Sequence, residues 1–331
     1  MKKDLIPLPT PYQLKTITVQ TADGTLLPVS VIGKGKPVLL MHAFGMDARQ
    51  FLPFILPLIQ HYCFYLPHFR GFGLANNLTL PTFDFIEQYA QDTQDVFEYV
   101  SKETGFEAFP VAAISMGALV MWAYFQRFGT QRVSHYLNID QAPIIHNQPD
   151  WQGGGVFGTR QTELFAQFTQ LITDTAPYLQ AEQIVDFRHL PYRLKVNLLD
   201  MERSFSLLSV SSKPSQLLIK ALSYRAPQKI SLMEHATWQH KLRCLSAYVA
   251  LPYDYRDVLP TVNIPTTLLI GACSQLYNAE WQQRLTTLLP NAHSIILPTS
   301  GHAVPMDAPV SFYKLRLTHE VQYQMQGEKK T

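Results

Sequence analysis

The chain has 331 residues, a hydrophobic fraction of 47% and a formal net charge of +2 at pH 7. This length allows one large domain or one domain with a sizeable insertion, and the hydrophobic fraction is that of a globular protein with a substantial core. Because no long run of one charge is present, the composition gives no reason to expect a nucleic-acid or anionic-membrane partner.

The signals for compartment and membrane association favour the cytoplasm. Residues 1–7 contain two lysines, but prolines interrupt any apolar stretch of signal-peptide length. No window approaches the ~20 continuous apolar residues that span a bilayer, so no integral membrane segment is expected. Cys63, Cys244 and Cys273 are few, odd in number and far apart. They favour buried free thiols in a reducing compartment over disulfides or a zinc site.

The first 140 residues alternate between β-type and helical patterns. Two short β-type runs flank Asp23-Gly24, which predicts a hairpin. Later apolar runs predict further strands, and amphipathic stretches between them predict helices. The predicted strands are 15–20, 26–32, 37–41, 63–66, 109–114 and 133–139, and the predicted helices are 48–60, 83–102 and 120–125. This order predicts a mostly parallel sheet with helices on both faces.

The pattern changes between about residues 143 and 240, where strand-like runs are scarce and helical stretches dominate. The predicted helices there are 161–173, 190–201 and 213–224. The sheet pattern then resumes, with strands at 264–271 and 294–297 and helices at 279–289 and from 309 onward. We therefore interpret the middle segment as a helical insertion. The predicted division is a first core part at 1–142, a helical cap (lid) at 143–240 and a second core part at 241–331.

A serine separates a predicted strand from a predicted helix in Ala113-Ile114-Ser115-Met116-Gly117. Small residues two places before and two places after it suit a nucleophile elbow, whose sharp strand–turn–helix bend excludes bulky neighbours. The hydroxyl would then lie at a helix N-terminus, where backbone N–H groups favour developing negative charge. Ser115 is therefore the candidate nucleophile. The alternative is that this common pattern occurs here by chance.

His302 is the best candidate base among eleven histidines. It follows the last predicted strand in the glycine-containing loop Ser300-Gly301-His302, at the sheet edge where ligands bind in such folds. A nucleophile with a base, an orienting carboxylate and oxyanion donors forms an acyl-transfer site. Without the elbow, an ordinary surface histidine would be the simpler interpretation.

The orienting carboxylate is absent from the position expected after the strand at 264–271. Residue 274 is a serine, which cannot carry the charge that stabilises an imidazolium. Asp140 follows the strand that comes next after the nucleophile, and in a sheet of sequential neighbours its loop lies near that of His302. We predict Asp140 as the acid, with Ser274 as a supporting hydrogen-bonding residue. The alternative for Asp140 is a turn or capping aspartate before Pro143.

Two backbone amides are expected to hold the oxyanion. One is the N–H of Met116, the residue after the nucleophile. The other lies in the loop His42-Ala43-Phe44-Gly45 after the third strand, with Phe44 as the expected donor. His42 is expected to brace this loop by side-chain hydrogen bonds rather than to titrate in catalysis. Arg70 is expected to fix the geometry of its own glycine-bounded turn.

The order of these motifs resembles the α/β-hydrolase superfamily over nearly the whole chain. The motifs are His-Ala-Phe-Gly after strand three, Phe-Arg-Gly-Phe-Gly after strand four, Ala-Ile-Ser-Met-Gly at the elbow and Gly-His near the end. The segment Asp140-Gln141-x-Pro143 is similar to a branch with a serine nucleophile in which the acid follows strand six. The resemblance implies an α/β fold with an eight-stranded sheet, a helical cap over the site, and ester-type hydrolysis without a cofactor or metal.

The predicted function is a serine carboxylester hydrolase that acts on a small-molecule acyl or ester substrate. A serine at 115 argues against haloalkane dehalogenase and epoxide hydrolase chemistry, which in this fold use an aspartate nucleophile. Acyl transfer, thioester hydrolysis and perhydrolysis use the same triad and remain open, as does the oligomeric state. The alternative from a different class is a ligand-binding or signalling protein that keeps the hydrolase fold.

The apolar side chains of the predicted cap have two interpretations. They would either line an acyl or alcohol pocket or pack the cap against the sheet, and packing is the usual role of such residues. The residues concerned are Phe157, Phe165, Phe168, Leu171, Phe187, Leu207 and Leu208.

Overall fold

The computed structural model describes residues 13–80, 84–179, 185–225 and 238–312. Its strands are β1 (Lys15–Gln20), β2 (Leu26–Gly33), β3 (Lys36–Met41), β4 (Tyr62–Pro67), β5 (Phe109–Ile114), β6 (Val133–Ile139), β7 (Thr266–Gly271) and β8 (Ala292–Leu297). They form one eight-stranded sheet in the order β1-β2-β4-β3-β5-β6-β7-β8. The β1–β2 and β2–β4 pairs are antiparallel and each remaining neighbouring pair is parallel, so the predicted sheet is confirmed.

The first two strands form the predicted hairpin. Gln20 pairs with Leu26 at its closed end. Gly24 in the turn has a φ of 81°, a left-handed conformation that glycine adopts without a Cβ clash. The Asp23-Gly24 signal therefore corresponds to a turn that needs glycine.

The described α-helices are α1 (Leu52–Ile55), α2 (Phe85–Thr104), α3 (Met116–Phe128), α4 (Gln161–Leu179), α5 (Tyr192–Leu208), α6 (Lys213–Arg225), α7 (Trp238–Ala250), α8 (Ala279–Arg284), α9 (Val304–Asp307) and α10 (Pro309–Phe312). The terminal helix predicted from residue 309 corresponds to α10 as far as residue 312, and the rest of that prediction lies outside the described residues. Residue 83, the predicted start of α2, also lies outside them.

The prediction of one continuous helix over residues 48–60 is wrong. Short 3₁₀ turns at Ala48–Phe51 and Leu56–Leu58 flank the four-residue α1. Pro53 and Pro57 each lie within the first two positions of their short element. A proline lacks the N–H that a helix interior requires and its ring crowds the carbonyl four residues earlier, so the helical segment breaks into separate turns.

Both faces of the sheet are covered, because successive side chains of a strand point to opposite sides. In β3, Leu39 and Met41 belong to the core that includes residues of α2 and α3. Val38 and Leu40 belong to the core on the other face, which includes residues of α1, α9 and α10. The continuous apolar run of this central strand is explained by burial on both sides.

The segment between β6 and β7 carries α4, α5, α6 and α7. Apolar residues from three of these helices and from the chain before α5 form a small core of their own: Leu171, Leu179, Leu190, Leu198, Trp238 and Leu242. Helix α7 packs along α4. The expected boundary between residues 240 and 241 falls within α7, so this helix continues past the predicted end of the insertion.

The cysteines differ in their exposure. Cys63, Cys244 and Cys273 are free thiols, of which Cys244 is buried, Cys63 is half-buried and Cys273 is exposed. The expectation of buried thiols is therefore wrong for Cys273, because it lies in the turn after β7 rather than in the strand itself.

None of the described helices has the length and apolar character that a membrane crossing requires.

Candidate active site

Three side chains that are distant in the sequence meet at one edge of the sheet. Ser115 follows β5, Asp140 follows β6, and His302 follows β8. The Nε2 atom of His302 is 2.8 Å from Ser115 Oγ, and its Nδ1 atom is 2.8 Å from Asp140 Oδ2. Because parallel strands share a carboxyl edge, the loops that follow them bring these residues together. The arrangement is a continuous hydrogen-bonded chain from hydroxyl to imidazole to carboxylate.

Ser115 lies at a sharp bend between β5 and α3. Its φ and ψ are 51° and −123°, a combination that is rare for a residue with a side chain and costs of order 1–3 kcal/mol. The Ser115 N–H donates to Ile139 O at 3.2 Å, which anchors the bend to β6. A Cβ on Gly117 would lie 2.6 Å from Met41 O and 2.8 Å from His42 O. The glycine is therefore needed because α3 begins against the end of β3.

The carboxylate of Asp140 is fully buried and accepts four hydrogen bonds. Oδ1 accepts from the Gly271 N–H at 2.8 Å and from Gln282 Nε2 at 2.9 Å. Oδ2 accepts from Ser274 Oγ at 2.7 Å and from His302 Nδ1 at 2.8 Å. A buried carboxylate without such donors would be strongly destabilising. The set of donors therefore holds the carboxylate in place beside the imidazole.

Gln282 is a site residue that the sequence did not reveal. It lies on α8, is buried, and also donates to Tyr277 O at 3.3 Å. Its neighbour Gln283 is exposed and has the same side chain. No local pattern distinguishes the two, because only the direction of α8 relative to Asp140 decides which of them reaches the carboxylate.

His42 links the loops that follow β3 and β4. Its Nδ1–H donates to Ala43 O at 2.8 Å, and its Nε2 accepts from the Phe69 N–H at 3.1 Å. These partners require the neutral ring with its proton on Nδ1. Burial lowers the pKa of His42 to about 4, which keeps the ring neutral near pH 7. The side chain therefore acts as a neutral brace for the loop that carries Phe44.

Of the two expected oxyanion donors, Met116 follows Ser115 directly and Phe44 lies in the loop after β3. Met116 is the first residue of α3, where a backbone N–H has no acceptor within the helix. Phe44 lies in a turn that the Met46 N–H closes by donating to Ala43 O at 3.2 Å. The Phe44 ring packs against Phe72, with ring centroids 5.4 Å apart. Phe44 and Ser115 line the same two cavities.

Arg70 lies outside this group of residues. Its guanidinium is buried and forms ion pairs with Asp92 of α2 at 2.6 Å and with Asp23 of the β1–β2 turn at 2.7 Å. Its backbone carbonyl accepts from the Tyr89 hydroxyl at 2.6 Å. These contacts fix the turn after β4 to two other elements, which is a structural role.

Two largely apolar cavities meet at Ser115. The first lies among α4, α5, α7 and the loop after β6. The second is larger and lies along the loop after β3, α6 and the loop that carries His302. Of the cap aromatic residues for which the sequence left both pocket lining and packing open, Phe157, Phe165 and Phe168 border the first cavity. In the described ranges, no cluster of three or more His, Cys, Asp or Glu side chains is arranged to hold a metal ion.

Comparison with known proteins places this geometry in a family. The sequence has no match among curated proteins. An esterase from Exiguobacterium antarcticum has a similar structure, with a TM-score of 0.68 and 20% identity over 93% of this chain and 99% of its own. A putative aryl esterase from Burkholderia cenocepacia has a TM-score of 0.65 and 20% identity, covering 94% of this chain and 100% of its own. A bromoperoxidase from Bacillus anthracis has a TM-score of 0.66 and 17% identity, covering 91% of this chain and 97% of its own.

These likenesses show a shared fold. A protein family described as alpha/beta hydrolase fold matches residues 36–309. The resemblance to the superfamily is confirmed, while the branch with the acid after strand six stays a prediction: the chain belongs to the α/β-hydrolase fold family.

Proposed function

We propose that the protein is a serine hydrolase that cleaves carboxylic esters of small molecules through an acyl-enzyme on Ser115. The observation that carries the proposal is the hydrogen-bonded chain from Ser115 Oγ through His302 to Asp140, with both links at 2.8 Å. The two largely apolar cavities that border Ser115 support an uncharged organic substrate. The esterase names of two structurally similar proteins agree with this class of reaction.

The proposed reaction has two stages. In the first, His302 Nε2 accepts the proton of Ser115 Oγ as that oxygen attacks the acyl carbon, and Asp140 orients the ring and stabilises the imidazolium. The ester C–O bond then breaks, and the alcohol oxygen takes the proton from His302. In the second stage, water attacks the acyl carbon with His302 again as base. The carboxylic acid leaves and Ser115 recovers its proton.

The negative oxygen formed in each stage needs donors that are already in place. We assign this role to the backbone N–H groups of Met116 and Phe44, and donors of this kind each contribute about 10²–10³ in rate. Ser274 supports the site by donating to the Asp140 carboxylate. The choice of Asp140 as the acid follows the resemblance to the serine-nucleophile branch in which the acid comes after strand six. We further propose that α4 to α7 form the cap over the site.

The test of the proposal is a panel of p-nitrophenyl esters and matching thioesters, run on the native protein and on Ser115→Ala. We expect ester turnover that Ser115→Ala lowers by about 10³-fold or more, because the nucleophile is lost. A fluorophosphonate probe should label the native protein on Ser115. The control is Ser206→Ala, which removes another cavity serine and should keep the labelling.

Three results would count against this proposal. Turnover that persists in Ser115→Ala would exclude Ser115 as the nucleophile. Absence of both label and turnover in the folded native protein would favour a ligand-binding role. Faster cleavage of thioesters than of matched oxygen esters would reassign the substrate class.

A further inference from the structure

The two cavities at Ser115 differ in their catalytic neighbours. Ser115 and Phe44 border both cavities. His302 borders the second cavity, whereas Gln141 and Tyr277 border the first. The imidazole therefore faces one of the two spaces into which the halves of a bound ester extend.

The direction of proton transfer distinguishes these halves. When the acyl-enzyme forms, the proton on His302 Nε2 passes to the oxygen of the departing alcohol, so this oxygen must lie next to the imidazole. The acyl carbon stays bonded to Ser115 Oγ, and its chain must extend away from the leaving group. On these grounds the alcohol belongs on the His302 side and the acyl chain on the opposite side.

We propose that the first cavity binds the acyl chain and that the second cavity binds the alcohol. This inference deepens the proposed function and rests on it. The first cavity has aromatic walls that include Phe157, Phe165 and Tyr248, and it is the smaller of the two. The lining of the larger second cavity includes Leu218, which is 51% exposed. The substrate class is therefore an ester of a limited apolar acid with a bulkier apolar alcohol.

Phe205 of α5 is one of the side chains that the two cavities share. It borders the first cavity, the second cavity and an outer groove between α4 and α5. Its ring is 6.3 Å from that of Phe157, in an edge-to-face arrangement. We assign Phe205 as a specificity-determining residue that keeps the two halves of the ester apart.

Two matched substitutions test the assignment of the cavities. Leu245 of α7 borders only the first of the two cavities, and Leu222 of α6 borders only the second. Both side chains are half-buried. Replacing each by tryptophan fills one cavity and leaves the other open. Leu245→Ala and Leu222→Ala enlarge the same cavities and serve as a second pair of variants if a tryptophan variant fails to fold.

Two ester series provide the readout. One keeps the p-nitrophenyl leaving group and lengthens the acyl chain from acetyl to decanoyl, and the other keeps acetyl and enlarges the alcohol from methyl to naphthyl. Leu245→Trp should lower kcat/KM for the long acyl chains by about 10-fold or more and spare the acetyl series, since a pocket discriminates by roughly this factor for each methylene group it excludes. Leu222→Trp should instead lower kcat/KM for the bulky alcohols and spare the series of lengthened acyl chains. The alanine variants should shift each preference toward longer groups.

Phe205→Ala provides an independent readout, because removal of the partition should weaken selection in both series at once. The inference is overturned if the two tryptophan variants exchange their effects, or if each lowers both series equally while the protein remains folded. Labelling of Ser115 by the fluorophosphonate probe in every variant separates these outcomes from failure of the proposed function. A protein that is neither labelled nor active on any ester contradicts the function itself.

Discussion

At the scale of single residues, two left-handed conformations shape the site. Ser115 and Asp140 both have a φ of 51°, and they end the neighbouring parallel strands β5 and β6. Aspartate tolerates this region better than most residues, whereas serine pays a steric cost in it. Each bend turns a side chain out of the strand direction and toward His302. The backbone strain at the two positions therefore contributes to the alignment of the three groups.

The first prediction concerns the acid. Asp140→Asn should lower kcat by about 10³–10⁴-fold, because an amide neither stabilises an imidazolium nor holds the productive tautomer of His302. Ser274→Ala removes one of the donors to the carboxylate and should cost far less, at most about 100-fold, the equivalent of one charge-assisted hydrogen bond. Steady-state kinetics on a p-nitrophenyl ester measures both effects.

Unfolding curves of the same two variants serve as the control, because both substitutions lie in a buried network. If folded Asp140→Asn keeps near-normal turnover, Asp140 is not the acid. If Ser274→Ala is the more severe of the two, the hydroxyl has a larger role than support of the carboxylate.

At the scale of elements, one carboxylate joins the helical segment between β6 and β7 to the loop that carries His302. Asp307 of α9 accepts from the Ser211 N–H at 2.7 Å and the Ser212 N–H at 3.0 Å, both in the turn between α5 and α6. It also accepts from the Gly301 N–H at 2.8 Å, next to His302. Burial opposes ionisation, but these amide donors outweigh it and lower the pKa of Asp307.

We therefore predict that Asp307→Asn loosens both segments at once. An amide keeps one accepting oxygen but places an N–H group where the other carboxylate oxygen accepted from a backbone N–H, so the free energy of unfolding should fall by about 1–3 kcal/mol. The His302 loop should also lose its fixed position, which lowers kcat more than it raises KM. Chemical denaturation and ester kinetics are the two measurements. The matched control is Asp200→Asn, which breaks an exposed ion pair with Arg203 on α5 and should change the unfolding free energy by less than about 1 kcal/mol.

The hydrogen bonds to ionised Asp307 stabilise the folded protein at pH values above the ordinary pKa of an aspartate. This stabilisation is lost as the pH falls through the lowered pKa of Asp307. An Asp307→Asn protein with unchanged stability and unchanged kcat would show that the insertion and the His302 loop are held independently of this contact.

At the scale of the whole molecule, the sequence was informative where the signals are local. Apolar runs and turn residues predicted the sheet, and the order of strand ends was enough to select Ser115, Asp140 and His302 as neighbours. Gln282 was not predictable, since its role depends on the direction of α8. The prediction of one helix over residues 48–60 was wrong because Pro53 and Pro57 divide this segment into short turns. The two cavities depend on how α5, α6 and α7 pack over the sheet edge, which no local pattern specifies.

Two buried histidines, His42 and His68, and the half-buried His240 join distant elements of the fold in their neutral form. His42 links the loops after β3 and β4. His68 contacts Ser30 Oγ of β2 at 3.0 Å and accepts from the Leu74 N–H at 3.2 Å. His240 of α7 contacts the Tyr89 hydroxyl of α2 at 3.0 Å. Burial lowers the pKa of each ring to about 4. The sheet, its loops and the insertion are therefore joined by groups that stay neutral until well below pH 6.5.

From the lowered pKa values of these histidines we predict that the folded protein loses stability in mild acid. The unfolded chain binds protons at all three rings as the pH falls through about 6.5, whereas the native protein does not until about 4, so protonation favours unfolding. From about pH 7 to about 5.5 the free energy of unfolding should fall by about 1 kcal/mol for each histidine. Burial raises the pKa of Glu87 and Asp92, so protonation of these two carboxyl groups favours the native protein. Their effect falls at lower pH than that of the histidines, near their ordinary pKa values of 4.5 and 3.8.

Urea unfolding at several pH values in this range measures the slope. His68→Gln removes one of the three titrating rings and should reduce the slope by about a third, even if the variant is less stable at every pH. The control is Gln170→Ala on the exposed face of α4. It changes no titratable side chain and should leave the slope unchanged. A free energy of unfolding that is constant or rises as the pH falls would mean that the native protein takes up protons as readily as the unfolded chain. In that case the neutral rings do not join the elements as described.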